Sequence, residues 1–408
     1  MIMIEKSSLR VLVVDDEPFM LKLLARMLEN LGYTQVTTCD NARVALDCIV
    51  SPNGAPDLIL LDLNMPQMDG IEFVHKLVER HYAGSLVLVS GEDERMLQTT
   101  EKLVQAHGIT ALGWLHKPPT LEGLSALLEK WSPPSPAGSR AAKKSYSADQ
   151  VRAAITNGQL VNYYQPKVAV ATGEVVGVET LVRWRHPVDG MVLPDQFIGV
   201  AEAHGLIEDL TRVVLTGALV QAKAWQQAGL VLLVAVNVSM DNLSSLDFPD
   251  FVARLAAEAG VPPQGITLEV TESRLVQNTR VALETLTRLR LKRFGLAIDD
   301  FGTGHSSLVQ LRDIPFDELK IDRSFVHGAW ANDTGRAIYE ASLGLAKQLK
   351  MESVAEGVED RADWDFVRGT GCSMAQGDFV AKPMRAADLP RWMAGWQEWV
   401  RSGFPAKA

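Results

Sequence analysis

Short apolar runs alternate with longer amphipathic stretches along the first third of the chain. In the first amphipathic stretch, apolar residues recur at helical spacing from Met20 to Leu31, so we predict a helix there. Pro18 before this stretch and Gly32 after it mark its start and its end. Such alternation is typical of a doubly wound parallel sheet covered by helices. The predicted strands are residues 10–14, 35–38, 57–61, 85–89 and 110–115.

The pattern breaks at Ser132, where the chain reads SPPSPAGSRAAKKSYS, rich in proline and without apolar periodicity. We predict a semi-extended linker over residues 132–146, between a first domain at 1–131 and a second at 147–408. Ser147 and Gln150 have the spacing of a capping box that opens a helix. Beyond them, strands and helices alternate to the end of the sequence, over a length that fits a (β/α)8 barrel. Predicted barrel strands include residues 230–238, 266–270, 294–298, 318–321 and 352–355.

Composition limits the function classes. The 408 residues, of which 47% are hydrophobic, suffice for two cores. A net charge of -10 argues against a broad basic surface, so we expect no DNA partner. The first residues lack the apolar core of a secretory signal, and the longest later apolar stretch is too short to cross a bilayer. We therefore expect a cytoplasmic protein that does not bind membranes.

Polar residues mark the predicted strand ends of the first domain. In order they are Asp15 and Asp16, Asp62, Ser90 and Lys117. Because the ends of these strands converge on one crevice, the carboxylates there need a cation, and Mg²⁺ prefers oxygen ligands. One carboxylate can then accept a phosphoryl group while the lysine neutralises its oxygens. We expect Asp62 to be that nucleophile.

The motifs VLVVDDEP, LLDLNMPQMDG, VLVSG and LHKP resemble, in order and spacing, the receiver domains of response regulators. The resemblance implies a flavodoxin-like fold, one bound Mg²⁺ and phosphorylation of Asp62 by a cognate sensor histidine kinase. It also assigns roles to the residues of the receiver site. Asp15 lies in the acidic pocket, while Asp16, Asp62 and the backbone carbonyl of Asn64 bind Mg²⁺. Ser90 is the switch hydroxyl, Lys117 binds the phosphoryl group, and Trp114 occupies the aromatic switch position, which is usually a tyrosine or phenylalanine.

A second set of polar residues lies at or near strand ends of the predicted barrel: Glu179, Asn237, Glu269, Asp299, Asp300, Lys320 and Glu356. Five carboxylates on one rim would repel one another strongly if nothing neutralised them. Two divalent cations of the Mg²⁺ or Mn²⁺ type fit this set of oxygen donors, and no histidine or cysteine cluster competes with it. Two such ions activate water for phosphodiester hydrolysis, so the pattern favours a two-metal phosphodiesterase.

Motifs from residue 147 to about residue 399 resemble the EAL family of cyclic di-GMP phosphodiesterases, which implies a TIM-like barrel. They are YYQPK, ETLVRW, PDQFI, NVS, LEVTE, DDFGTGHSS, LKIDRSF, AEGVE and GCSMAQGDFVAKPM. The resemblance implies two groups of metal ligands that share one aspartate: Glu179, Asn237, Glu269 and Asp299 for one ion, and Asp299, Asp300 and Glu356 for the other. It also implies that Lys320 contacts the nucleophilic water and that Glu356 is a possible general base.

The same resemblance implies a set of substrate contacts: Gln165, Leu181, Arg183, Asp322, Glu359 and Gln376. Thr180 replaces the usual alanine of the signature triplet, whose glutamate and leucine remain. The segment DDFGTGHSSL resembles the family loop that couples metal binding to dimer contacts, with Glu272 supporting it and Gly302 and Gly304 permitting its movement. Because both families often dimerise, we expect a homodimer or a higher homo-oligomer.

Together the two resemblances predict a response regulator, similar to pseudomonad regulators that join a receiver to an EAL domain. Our leading hypothesis is that phosphorylation of Asp62 raises hydrolysis of cyclic di-GMP to linear pGpG in the barrel. The alternative is a barrel that binds cyclic di-GMP without cutting it and signals to a protein partner. A DNA-binding output is not expected, since no recognition helix stands out.

Overall fold

The computed structural model describes residues 6–49, 55–131, 146–271, 279–303 and 308–403. The chain forms two compact units, with the boundary between them after Ala142. Nearly all of the predicted linker, residues 132–146, lies outside the described residues, so its boundaries stay a prediction. No helix in the described ranges is long and apolar enough to cross a membrane.

The first unit contains a five-stranded sheet in the order β2-β1-β3-β4-β5, and all of its pairings are parallel. This confirms the predicted doubly wound fold. Strands β3 and β4 are buried along their whole length, because helices cover both faces of the sheet. The elements are β1 (Arg10–Val14), α1 (Pro18–Asn30), β2 (Gln35–Cys39), α2 (Ala42–Ile49), β3 (Leu58–Asp62), α3 (Gly70–Glu79), β4 (Ser85–Ser90), α4 (Glu94–Ala106), β5 (Thr110–His116) and α5 (Leu121–Leu128), preceded by a 3-10 turn at Lys6–Ser8.

Local sequence explains the helix boundaries of this unit. Helix α1 begins at Pro18, as predicted, and buries Met20, Leu24 and Leu28 at four-residue spacing. Helix α3 begins after Asp69, whose carboxylate accepts a hydrogen bond from the Glu72 amide at 2.8 Å. Such caps fix where each strand-to-helix loop ends, and these loops carry the polar residues of the unit.

The second unit is a closed eight-stranded barrel, which confirms the predicted TIM-like class. Its strands follow the order β6-β14-β13-β12-β11-β10-β9-β7, and a β6–β7 pairing closes the ring. Strand β8 extends β7 as a hairpin. The strands are β6 (Leu160–Ala169), β7 (Val175–His186), β8 (Gly190–Val192), β9 (Leu233–Val238), β10 (Ile266–Thr271), β11 (Gly295–Phe301), β12 (Glu318–Ile321), β13 (Glu352–Ala355) and β14 (Met374–Ala375).

Helices lie between these strands and at both ends of the unit. Helix α6 begins with the predicted capping box, in which both the Ser147 and the Gln150 hydrogen bonds are present. The helices are α6 (Ala148–Thr156), α7 (Ile198–Ala203), α8 (Ile207–Gln227), α9 (Met240–Leu243), α10 (Phe248–Ala259), α11 (Thr279–Leu291), α12 (Leu308–Asp313), α13 (Arg323–Val326), α14 (Asp333–Gln348), α15 (Arg361–Thr370) and α16 (Leu389–Arg401), with 3-10 turns at Pro194–Gln196 and Pro263–Gly265.

Strand β6 departs from the ideal (β/α)8 arrangement because it runs antiparallel to both of its neighbours. Only residues 170–174 separate it from β7. A connection this short can join antiparallel strands but cannot make the crossover that parallel strands require. Seven barrel strands therefore end at one rim, and β6 begins there.

One predicted strand begins later than the apolar pattern indicated. Residues 230–238 were predicted, but β9 begins at Leu233. The amide of Leu230 still donates to the carbonyl of Trp225 at 2.8 Å, so it caps the end of α8. Apolar character alone does not separate such a capping residue from the strand that follows.

Candidate active site

The barrel rim gathers the second set of predicted polar residues. They lie on adjacent strands or just after them: Glu179 on β7, Asn237 on β9, Glu269 on β10, Asp299 and Asp300 on β11, Lys320 on β12 and Glu356 after β13. Glu269 and Asn237 are direct partners in the β10–β9 register. The strands bury their apolar residues below the rim, so the ring geometry brings these polar side chains together.

Lys320 lies at the centre of this group. Its ammonium nitrogen is 2.8 Å from Glu269 Oε2, 2.8 Å from Glu356 Oε1, 2.9 Å from Asp299 Oδ1 and 3.5 Å from Glu179 Oε2. Burial alone would lower the pKa of Lys320, but the surrounding carboxylates raise it well above its usual value. The lysine is therefore a fixed positive charge inside a ring of carboxylates.

One ammonium group does not neutralise that many acids. Burial raises the pKa of Glu269 to about 8, against the opposing effect of Lys320. Burial and the neighbouring Asp299 raise the pKa of Asp300 to about 6, and burial raises that of Glu356 well above its usual value. Asp299, Asp300 and Glu356 each offer an oxygen within 4.8 Å of the others. The site therefore has more carboxylates than Lys320 can neutralise. Such a set of oxygen donors fits divalent cations.

A β-bulge places the two consecutive aspartates on the same side of the strand. In the β11–β12 register, Ile298 pairs with Leu319 and Phe301 with Ile321, so Asp299 and Asp300 together face the single residue Lys320. Asp300 has a φ of 56°, in the left-handed region that non-glycine residues rarely adopt. Side chains of consecutive strand residues normally point to opposite faces. The bulge and the unusual φ let both carboxylates approach Glu356.

Two amide side chains orient Glu179. Asn237 Nδ2 donates to Glu179 Oε1 at 2.8 Å, and Gln376 Nε2 donates to Oε2 at 2.5 Å. Gln376 also contacts Gln165 Oε1 at 3.0 Å, and Gln165 donates to the carbonyl of Ala381 at 3.0 Å. Despite burial, Lys320 and these amides lower the pKa of Glu179. The arrangement keeps Glu179 ionised and leaves the Asn237 amide oxygen free of any bond to Glu179.

The other predicted substrate contacts lie around the same rim. Half-buried Arg183 lies 5.9 Å from the ring centre of Tyr163. Leu181 lines a cavity of about 410 Å³ that also reaches Asn237. Asp322 caps α13 through the Ser324 amide at 2.9 Å, and Glu359 Oε1 is 2.8 Å from a guanidinium nitrogen of Arg323. Their contacts with substrate stay a prediction.

The predicted coupling loop is described only in part. Gly302 has a φ of 100°, and an added Cβ would lie 2.7 Å from the Phe325 ring, so glycine is required there. Glu272 and Gly304 lie outside the described residues.

Two buried charged residues beneath the site, Lys167 and Glu318, were not predicted from the sequence. Lys167 on β6 is 1% exposed, and its Nζ lies 2.7 Å from Glu318 Oε2 and 3.7 Å from Glu269 Oε1. A lysine within the apolar pattern of β6 was the available signal. Without knowledge of which strand face points inward, that pattern does not separate a buried charge from a surface one.

The predicted residues of the first unit also lie close together. Lys117 Nζ is 2.9 Å from Asp15 Oδ2 and 2.9 Å from Asp62 Oδ2, and Asp62 Oδ1 accepts the Asn64 amide at 3.2 Å. Asp16 offers an oxygen within 4.8 Å of those of Asp15 and Asp62. Burial raises the pKa of Asp15 despite its contact with Lys117. The three carboxylates and the lysine thus form one compact pocket.

Loops beside this pocket connect the remaining predicted residues. The Ser90 hydroxyl is buried and accepts the Glu92 amide at 3.2 Å. Asn64 Nδ2 donates to Glu92 Oε1 at 2.6 Å, which ties the loop after β3 to the loop after β4. Trp114 is half-buried on β5.

Because the pKa values of these carboxyl groups are raised, we predict that the stability of the protein depends on pH when a chelator removes divalent cations. The folded barrel keeps protons on Asp300 and Glu269 that the unfolded chain has lost above its ordinary pKa values of 3.8 and 4.5. The free energy of unfolding should therefore fall as the pH rises through this window toward 6 and then 8. Asp300→Asn should raise Tm relative to the parent at about pH 7 in EDTA and should change it little near about pH 4. Scanning calorimetry across pH checks this, and parallel profiles for the two proteins would contradict it.

Comparison with known proteins follows the same division of the chain. The family model for the EAL domain matches residues 148–383, and that for the response regulator receiver domain matches residues 11–129. The cyclic di-GMP phosphodiesterase RocR of Pseudomonas aeruginosa is 33% identical over 381 residues, which cover 93% of this chain and 97% of RocR. The cyclic di-GMP phosphodiesterase NbdA of the same organism is 39% identical over 259 residues, which cover 63% of this chain and 33% of NbdA.

Solved structures resemble the second unit. The PaMucR phosphodiesterase in its c-di-GMP complex is 38% identical with a TM-score of 0.57, and the match covers 59% of this chain and 98% of that one. The family matches confirm both resemblances found in the motifs. The chain therefore belongs to the EAL domain family and carries a response regulator receiver domain ahead of its EAL domain.

Proposed function

We propose that the EAL domain hydrolyses cyclic di-GMP to linear pGpG with two divalent cations, and that phosphorylation of Asp62 in the receiver domain raises this activity. The observation that carries the proposal is the contact of Lys320 with four acidic side chains at the barrel rim. The match to RocR over almost the full length of both proteins supports the substrate, and the match of residues 11–129 to the receiver domain supports control by a receiver. The domain limits of 1–131 and 147–408 belong to the same proposal.

The donor set of the rim fits two Mg²⁺ or Mn²⁺ ions, because it consists of carboxylates and one amide oxygen in a partly buried, negatively charged setting. Glu179, Asn237, Glu269 and Asp299 would hold one ion, and Asp299, Asp300 and Glu356 the other. When bound, such ions lower the pKa of a water molecule and neutralise phosphate oxygens.

The side chains of the chain itself supply position and proton transfer. Lys320 Nζ lies 2.8 to 2.9 Å from Glu269, Asp299 and Glu356, which together occupy its three N–H donors. Its ammonium group could donate to a nucleophilic water once one of these carboxylates turned away to hold a cation. Glu356 Oε1 lies 2.8 Å from Lys320 Nζ, so its carboxylate is close enough to the proposed water to accept its proton. Arg183 can pair with a phosphate through its planar guanidinium. The Asn237 and Gln376 amides keep Glu179 in one orientation.

In the receiver domain, Asp62 would attack the phosphoryl donor while Lys117, 2.9 Å away, neutralises the transferred oxygens. Asp16, Asp62 and the Asn64 carbonyl would hold one Mg²⁺ beside them, a role that the clustered carboxylate oxygens fit. A cognate sensor histidine kinase is the proposed donor, and a homodimer or higher homo-oligomer is the proposed assembly.

Product analysis tests the enzymatic proposal. Purified full-length protein is incubated with cyclic di-GMP and Mg²⁺ or Mn²⁺, and the nucleotides are separated by chromatography and identified by mass. We expect linear pGpG, and we expect EDTA to abolish its formation. Tight binding of cyclic di-GMP without any turnover would contradict the proposal and would favour the non-hydrolysing sensor.

A further inference from the structure

A buried ion pair lies below the carboxylates of the rim, inside the barrel. Lys167 is 1% exposed and Glu318 is 5% exposed, and Lys167 Nζ donates to Glu318 Oε2 at 2.7 Å. Strand β6, which carries Lys167, pairs with β7 and β14 but not with β12. The contact therefore crosses the barrel interior. Glu318 and Lys320 are two residues apart on β12, which places both on its inner face.

Glu269 lies between two ammonium groups. Its Oε2 is 2.8 Å from Lys320 Nζ, while its Oε1 is 3.7 Å from Lys167 Nζ. Lys167 is thus nearer to Glu318 than to Glu269 by an ångström. A buried ammonium group needs a charged or hydrogen-bonding partner. If Glu318 lost its charge, Glu269 would be the carboxylate best placed to attract Lys167.

We propose that Glu318 is a positioning residue that holds the Lys167 ammonium away from Glu269, so that Glu269 Oε1 stays available to a divalent cation. The inference rests on the proposed role of Glu269 as a metal ligand, and it adds two residues below the rim to the site. A merely structural ion pair would stabilise the barrel without any specific effect on cation affinity.

Two variants of the full-length protein separate these roles. Glu318→Gln keeps the volume and an acceptor oxygen but removes the charge that attracts Lys167. We expect this variant to bind Mn²⁺ about tenfold more weakly at the rim, because Lys167 then competes for Glu269. In the double variant Lys167→Met, Glu318→Gln, no ammonium competes, so the Mn²⁺ affinity should return to that of the parent.

Isothermal titration of Mn²⁺ into each protein provides the readout, with thermal melts to show that each variant is folded. The receiver site, which neither variant alters, serves as the internal reference in every titration. Unchanged affinity in Glu318→Gln, or a double variant that binds no more tightly than the single one, would overturn the inference, as would a parent that binds no Mn²⁺ at the rim. A parent that binds Mn²⁺ but leaves cyclic di-GMP intact would refute the proposed hydrolysis while the comparison of variants still decides the role of Glu318.

Discussion

Replacement of Asp299 by asparagine is expected to slow hydrolysis of cyclic di-GMP by about a thousandfold while the barrel stays folded. Asparagine has nearly the shape of aspartate, so the change removes charge and little else. Asp299 Oδ1 lies 2.9 Å from Lys320 Nζ, and Asp299 also belongs to the cluster with Asp300 and Glu356. In the proposed ligand set Asp299 is the residue shared by both cations. Its replacement should therefore weaken the binding of both cations and remove one of the partners of Lys320. Steady-state kcat and kcat/KM at saturating Mn²⁺ measure the effect.

A matched control for this variant is Asp149→Asn. Asp149 is an exposed carboxylate in the first turn of α6, where its charge only complements the helix dipole. The control should keep the parental rate, and both variants should keep a cooperative thermal transition. An Asp299→Asn protein that retains more than about a tenth of the parental rate would contradict the proposed chemistry.

The positions of the rim residues could be predicted because they depend on chain topology. Glu269 and Asp299 each follow an apolar run, and the carboxyl ends of parallel strands meet at one rim. The receiver pocket was predictable for the same reason, since Asp62 ends β3 and Lys117 follows β5. In both sites the side chains that meet can be predicted, because the position of each residue at a strand end and the order of the strands bring them together.

Details that depend on tertiary contacts could not be predicted in this way. The bulge that sets Asp299 and Asp300 opposite Lys320 appears only in the β11–β12 register. The Lys167–Glu318 pair joins strands that are not neighbours, so the local pattern around Lys167 does not reveal its partner. The reversed direction of β6 follows from the short connection at residues 170–174, a limit on chain reach that apolar periodicity does not express.

We expect Asp62 to be the carboxylate of the receiver pocket that accepts the phosphoryl group. Asp62 is 2% exposed, its Oδ1 accepts the Asn64 amide, and its Oδ2 faces Lys117. Asp15 also contacts Lys117, but it is completely buried and accepts the Glu17 amide at 2.9 Å. Asp62 ends β3, and Asn64, two residues further along the loop, is exposed, so we expect a phosphoryl donor to approach from that side.

Asp62→Asn is therefore expected to abolish phosphoryl transfer to the receiver, because an amide cannot form the acyl phosphate. Intact-protein mass spectrometry after incubation with acetyl phosphate and Mg²⁺ measures incorporation, and the hydrolysis rate with and without beryllofluoride measures its consequence. The parent should gain one phosphoryl group and hydrolyse cyclic di-GMP faster with beryllofluoride, whereas Asp62→Asn should show neither change. Asp69→Asn is the matched control. Asp69 caps α3 by accepting the Glu72 amide, and asparagine is an equally good N-cap residue. Phosphorylation of Asp62→Asn at the parental level would exclude Asp62 as the acceptor, and a parental rate indifferent to beryllofluoride would exclude control of the barrel by the receiver.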